Sequence, residues 1–168
     1  MSELQNMAFI ALGSNLGDSK QNVVRAMDRL EELSDFPLVR SSLWQSTPVD
    51  CPPGSPLFIN AVVGLMPGAK ATPENLLDQL QLLEQECGRR PKTVLNEPRP
   101  LDLDLIAFRQ EVRATERLTL PHARAHLRRF VLQPLSEIAA DLVLPGQALS
   151  VRQLLGTLDS SERLQRVS

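Results

Sequence analysis

The sequence lacks the features that would mark a membrane-spanning, secreted or nucleic-acid-binding chain. Its formal net charge is only −2, so no bulk basic field attracts nucleic acid or acidic membranes. Any bound anion must be held by a local cluster. Cysteine is scarce: Cys51 and Cys87 are the only two, without metal-ligand spacing, as expected of a cytoplasmic chain with free thiols. His122 and His126, the only histidines, do not make a zinc site by themselves. No apolar run approaches the roughly 20 residues of a membrane span. Met1 to Asn6 is polar and the apolar run after it is short, so no secretory leader is expected. There is no internal repeat and no low-complexity linker. With 42% hydrophobic residues in 168, a single globular domain spanning 1–168 is expected, its core about 8–158 and its ends frayed.

What the chain does contain is the stretch Leu101-Asp102-Leu103-Asp104-Leu105-Ile106. Its alternation predicts a β-strand with the leucines on one face and the two aspartates on the other. Residues two apart on a strand lie roughly 6.5 Å apart along it, and such a pair can converge on one metal ion or on two held about 3.5–4 Å apart. Asp is depleted in strands, so two in one short strand need a reason. For an isolated pair, a solvated strand face serves equally well. The neighbourhood shifts that balance. Arg89-Arg90-Pro91-Lys92 and Pro98-Arg99 stand just before the aspartates. Cations and carboxylates this close in sequence suit a polyphosphate and its metal ions, with arginine supplying planar multi-donor contacts.

The remaining pattern predicts the frame. Met7 to Leu12 reads as a strand and Gly13 to Asp18 as a turn. A helix follows with Val23, Val24, Met27, Leu30 and Leu33 on its apolar face, capped by Asp18 or Ser19. The glycine-rich turn fits neither G-x-G-x-x-G nor the Walker pattern, so a structural turn is the better reading. Leu38 to Gln45 is a second strand. Thr47 to Pro56 is a proline-stiffened loop, and Leu57 to Met66 is a third strand, with Asn60 inside it. An amide in a strand is explained either by an edge position or by a specific partner. Thr72-Pro73-Glu74 opens a helix with cap, first-position proline and an acid in the first turn. Its stripe is Leu76, Leu80, Leu83 and Cys87, and Gly88 is its stop; Gln81 and Glu84 lie on a neighbouring, solvated face. Arg109 to Ala114 is a turn or hairpin edge, and Glu116 to His122 approaches a helix over Ala125 to Ala140. That helix has Leu127, Phe130, Val131, Leu132, Leu135 and Ile138 as apolar members and a kink or break at Pro134. Pro145-Gly146 is a turn, Ser150 caps a last short helix, and the charged tail after Leu158 is frayed. The order β-α-β-β-α-β with additional C-terminal helices is that of a ferredoxin-like α+β sandwich.

Six separated segments then resemble a known family. They are Ile10-Ala11-Leu12-Gly13-Ser14-Asn15-Leu16-Gly17, Ser46-Thr47-Pro48, Phe58-Ile59-Asn60-Ala61, Pro98 to Leu105, Glu116 to His122, and Arg128-Arg129-Phe130-Val131-Leu132-Gln133-Pro134-Leu135. In this order they resemble 6-hydroxymethyl-7,8-dihydropterin pyrophosphokinase of folate biosynthesis. The resemblance implies transfer of the diphosphoryl group of ATP, the co-substrate, to the pterin hydroxymethyl oxygen, releasing AMP. It implies two Mg²⁺ ions on Asp102 and Asp104, with Asp102 also near the pterin. By the same resemblance, Arg89 and Arg99 clamp the triphosphate and act in catalysis. Lys92, His122 and Arg128 add phosphate contacts, and Gln81, Glu84, Pro98, Leu105 and Thr119 line the nucleotide. Phe58 and Phe130 sandwich the pterin by ring stacking, Asn60 pairs with its polar edge, and Thr47 and Pro48 line the slot.

The chain departs from that family at Asn96, Glu97 and Pro91, where tryptophan, glycine and arginine are usual. It departs also at Ala123 and Phe58, where an aromatic and a tyrosine are frequent. The first three predict a stiffer loop over the site and weaker nucleotide binding. The partners implied are the two small molecules, with no nucleic acid or membrane, in a monomer or weak homodimer. Alternatives are a weakened paralogue that binds pterin or nucleotide without efficient transfer, a D-x-D nucleotidyltransferase or other small-molecule kinase, and a non-enzymatic binding module. Turnover of ATP to AMP with the pterin present discriminates the first, the identity of the released product the second, and retained function after Asp102→Ala and Asp104→Ala the third.

Overall fold

The computed structural model describes residues 3–46, 57–87, 100–158 and 164–167. One antiparallel sheet organises it. Strand β1 (Ala8–Ser14) runs through the middle, paired on one side with β5 (Asp102–Phe108) and on the other with β4 (Phe58–Leu65). Beyond β4 come β3 (Leu43–Ser46) and then β8 (Leu164–Val167), giving the order β5-β1-β4-β3-β8. The short β2 (Val39–Arg40) also pairs with β4. A separate small ladder joins β6 (Arg113–Ala114) to β7 (Thr119–Leu120).

The described residues form four α-helices, packed on the two faces of the sheet. Helices α1 (Ser19–Glu31) and α2 (Pro73–Glu86) cover one face. The core there takes Ile10 and Leu12 of β1, Ala61 and Val63 of β4, and Leu103 and Leu105 of β5. Helices α3 (Arg129–Ala139) and α4 (Val151–Thr157) cover part of the other, against Phe9, Ala11, Val62 and Ile106. The period of two along each strand divides the two cores. The caps are those the sequence predicts. Asp18 accepts the Gln21 N–H, Thr72 accepts the Asn75 N–H with Pro73 at the first helical position, and Ser150 forms a capping box with Gln153.

Several expectations are corrected. The second strand is not continuous over Leu38 to Gln45 but divides at Ser41-Ser42. There Ser41 Oγ accepts the Val62 N–H, and the Ser42 N–H turns away to Glu137 of α3. Of the kink or break expected at Pro134, the break does not occur. The interruption falls earlier, at Arg128, between a 3-10 turn (Ala125–Leu127) and α3, and Pro134 lies buried inside α3. Its missing N–H affects only the Phe130 carbonyl, and the packing of Val131, Leu132, Leu135 and Ala139 outweighs that local cost. Leu127, expected on the apolar face, is 61% exposed because it belongs to the 3-10 turn. The tail is not frayed over Leu164 to Val167: those residues add a strand to the open edge of β3. Asn60 is not at an edge, since β4 lies between β1 and β3. No helix among the described residues is long and apolar enough to cross a membrane.

Candidate active site

Strand β5 holds the two aspartates as its alternation predicts. Leu101, Leu103 and Leu105 are buried, while Asp102 and Asp104 are half-buried on the α3 side of the sheet. Across the ladder, Asp102 pairs with Gly13 and Asp104 with Ala11. Beside the two carboxylates, β1 therefore contributes a hydrogen and a methyl group.

The row through Asp102 continues across the sheet. Gly13 pairs with Asn60 of β4, and Asn60 pairs with Trp44 of β3. Neighbouring strands lie about 4.8 Å apart, so Asp102 and Asn60 face each other across about 10 Å of bare backbone. Phe58 stands on the same face as Asn60, two residues away. A Cβ placed on Gly13 would lie 3.6 Å from both Asn60 Oδ1 and the Phe58 ring. The floor is open because β1 has a glycine there.

The wall of this slot comes from the C-terminal half. A one-residue register slip in the β1–β5 ladder leaves Ile106 as a bulge. Such bulges re-aim backbone groups next to sites; here the Ile106 carbonyl accepts the His122 N–H at 2.9 Å. Burial depresses the His122 pKa below its ordinary value, and Arg128 pushes it the same way, whereas Asp102 pulls it up. His122 Nδ1 accepts the Arg124 N–H at 3.2 Å, so the neutral ring carries its proton on Nε2. Arg128 lies just before α3, its guanidinium 5.4 Å from the centre of the Phe130 ring. Cations at a helix N-terminus oppose the helix dipole; Arg128 and Arg129 gather there as a region that favours an anion. One side chain pair thus joins the cationic wall to the aromatic one.

These elements match a known family. A family model for 7,8-dihydro-6-hydroxymethylpterin-pyrophosphokinase matches residues 9–140. The chain belongs to this family. A protein of Haemophilus influenzae named 2-amino-4-hydroxy-6-hydroxymethyldihydropteridine pyrophosphokinase is 41% identical over 143 residues, covering 84% of this chain and 87% of its own. One of the same name from Pseudomonas aeruginosa is 39% identical over 138 residues, covering 82% and 83%. A solved HPPK-DHPS chain described as in complex with substrates superposes with a TM-score of 0.67 at 12% identity. It supports the fold alone. The match covers 90% of this chain and 43% of that longer one.

Against the pyrophosphokinase pattern, the structure gathers Asp102, Asp104, Phe58, Asn60, His122, Arg128 and Phe130 on one face and one wall. Thr119 is exposed on β7, and Gln81 is exposed on α2. Glu84 is not the solvated residue its helical position suggests: its Oε2 accepts the Leu103 N–H at 2.7 Å. The Leu105 side chain is 4% exposed inside the α1–α2 core, so only its main chain is left to meet a ligand. Thr47, Pro48, Arg89, Lys92, Pro98 and Arg99 lie outside the described residues, as do Pro91, Asn96 and Glu97. Sequence reasoning misses Gly13, Ala11 and Ser46 as site residues. It places Gly13 in the turn rather than the strand, although Phe9-Ile10-Ala11-Leu12-Gly13 continues the alternation to a shrinking side chain.

The donor set suits a hard cation. Two half-buried carboxylates offer oxygen only, and no cluster of three or more His, Cys, Asp or Glu residues fit to hold a metal occurs among the described residues. Zinc sites need more protein ligands. Magnesium keeps several waters and is commonly held by one or two carboxylates plus substrate phosphates, which Asp102 and Asp104 can provide.

Proposed function

We propose that the chain transfers the diphosphoryl group of ATP to the hydroxymethyl oxygen of 6-hydroxymethyl-7,8-dihydropterin, releasing AMP. The observation that carries this reading is the row Asp102–Gly13–Asn60, which sets a phosphate half-site and a planar-ligand half-site on one face about two strand spacings apart. The hydroxyl oxygen forms a bond to the β-phosphorus. The bond from that phosphorus to the oxygen bridging the α-phosphorus breaks, and AMP leaves with the bridging oxygen. The hydroxyl proton passes to water.

In this reading Asp102 and Asp104 would hold two Mg²⁺ ions, which when bound would supply neutralisation of phosphate charge and acidification of the attacking hydroxyl. The protein's own work is positioning and charge compensation, which dominate phosphoryl-type transfer. His122 donates from Nε2 and Arg128 from its guanidinium to the triphosphate. By the family resemblance, Arg89, Lys92 and Arg99 serve as further clamps on it. Gln81, Glu84, Pro98 and Thr119 surround the nucleotide. Leu105 contributes through its main chain, since the Leu103 N–H points off the outer edge of β5 and the residue two further on points the same way.

The pterin lies over the open floor at Gly13, stacked between Phe58 and Phe130, with Asn60 on its polar edge and Thr47 and Pro48 along the rim. The Arg128–Phe130 contact supports this arrangement, because it keeps the phosphate side and the ring side of the site adjacent. The same reading makes the fold a single ferredoxin-like domain. In support, with β2 and β3 counted as the second strand, the core order is fourth, first, third, second, all antiparallel.

The test is product identification with ATP, Mg²⁺ and the hydroxymethyl dihydropterin. AMP and pterin diphosphate in equal amounts are expected. ADP or free diphosphate as the nucleotide-side product overturns the reading.

A further inference from the structure

Asn60 is 4% exposed in the middle of β4, so both ends of its amide need partners. The main-chain oxygen of Trp44 lies 3.5 Å from Nδ2. That oxygen has no hydrogen to give. Turning the amide over would set Oδ1 against it, oxygen facing oxygen. The Trp44 carbonyl therefore sets which way the amide faces as long as the amide is kept against β3. Ser46 Oγ, 2.6 Å from Nδ2, is the closer acceptor and holds it there. Strand β3 is itself braced, since Glu137 of α3 accepts from Trp44 Nε1 at 2.7 Å and from the Ser42 N–H at 3.1 Å. With Nδ2 committed to β3, Oδ1 turns toward the open floor at Gly13. No donor among the described residues reaches it.

We infer that Ser46 is a positioning residue that sets ligand specificity: by holding the Asn60 amide, it makes the slot present an acceptor and no donor at that point. The ligand must then bring a donor. This rests on the pterin reading above and sharpens it, because an amide in general could offer either group. A pterin meets the requirement with its 2-amino group. A lumazine, which carries a carbonyl in place of the 2-amino group, sets an acceptor against an acceptor. Sites built around one hydrogen-bonding polarity reject the opposite one strongly.

The experiment measures binding of 6-hydroxymethylpterin and 6-hydroxymethyllumazine, by ligand fluorescence, to wild type, Ser46→Ala and Ser46→Thr. Wild type is expected to favour the pterin. Ser46→Ala loses the short contact that keeps the amide against β3, so the amide can move off the Trp44 carbonyl and turn, and the pterin-to-lumazine preference falls about fivefold or more. Ser46→Thr keeps a hydroxyl and restores the preference. A merely structural role for Ser46 would weaken both ligands together, and an unchanged ratio in Ser46→Ala overturns the inference. Nuclear magnetic resonance reads the same contact without ligand. The Asn60 side-chain NH₂ is expected to be protected from solvent exchange in wild type and to lose that protection in Ser46→Ala; equal exchange in both also overturns it. If wild type shows the protection but does not bind the pterin, the functional reading fails while the hold of Ser46 on the amide stands.

Discussion

The carboxylate of Glu84, on α2, takes the main-chain N–H of Leu103 at 2.7 Å, at the one peptide nitrogen between Asp102 and Asp104 whose residue points into the opposite core. A helix on one face of the sheet thereby steadies the strand that presents two carboxylates on the other. Glu84→Ala removes the acceptor from a half-buried donor and should destabilise the protein by about 1–3 kcal/mol, read from chemical denaturation. Glu84→Gln keeps an acceptor and should cost less than half as much. Equal losses in the two variants would mean that the bond to Leu103 is not what Glu84 contributes.

Asp104 faces Ala11, one row further from Asn60 than Asp102. Its replacement by asparagine removes one of the two carboxylates proposed to hold magnesium without touching the slot. Several kcal/mol of transition-state stabilisation are at stake, so AMP release should fall by at least about 10²-fold. Pterin affinity, followed by fluorescence, should stay near the wild-type value.

The open floor at Gly13 makes a steric prediction. A Cβ alone would rest at ordinary contact distance from Asn60 and Phe58, so Gly13→Ala should fold and retain weakened activity. Gly13→Val suits a strand but fills the slot, and adding methyl groups in a fitted pocket is worth about 10–200-fold. Pterin affinity should drop by that order in calorimetry while ATP-analogue affinity holds. Equal loss of both ligands would count against the slot.

The legible part of this molecule was the part with local causes. The leucine–aspartate alternation, the Thr72-Pro73 start and the Ser150 cap act within a few residues of themselves, so they can be read from one chain. What was hidden depends on pairing. Gly13 matters through what stands opposite it on β4 and β5, and a glycine acts by an absent side chain. Ser46 matters through Asn60, fourteen positions away. Pro134 looks like a break because its own chemistry favours one, and only the packing of α3 against the sheet overrules it. The tail looks polar enough to fray, yet β3 offers it an edge to pair with.

His122 makes a prediction about pH. Burial is the leading cause of its lowered pKa, followed by Arg128. The unfolded chain therefore binds the proton more readily than the folded one between the folded pKa and about 6.5. Stability contributed by neutral His122 is present above about 6.5 and is lost as pH falls through the folded value. A ring-proton titration should show a midpoint below 6.5, and His122→Gln should flatten the acid side of the stability profile. A midpoint at or above 6.5 in the ligand-free protein would refute the assignment.

Strand β8 can be tested by truncation before Leu164. Its loss exposes the edge of β3, removes the Arg166 guanidinium from 5.3 Å over Trp44 and ends the 3.6 Å ion pair with Glu137. The exposed ion pair contributes little by itself; the ladder and the stacked cation contribute more. A fall in Tm of about 2–8 °C is expected, with pterin affinity falling more than ATP-analogue affinity because β3 carries Ser46 and Trp44.

The bare stretch of β1 has a thermodynamic meaning. Across the sheet floor, the residue between Asp102 and Asn60 is Gly13, which offers no side chain through which a change at one could be felt at the other. In the empty protein their substitutions should therefore add without interaction in a double-mutant cycle. Coupling between them should emerge only when both substrates are seated, because the reacting molecules themselves supply the missing link across Gly13. The enzyme would then carry two separately adjustable half-sites, and the energy that unites them would reside in the bond being made.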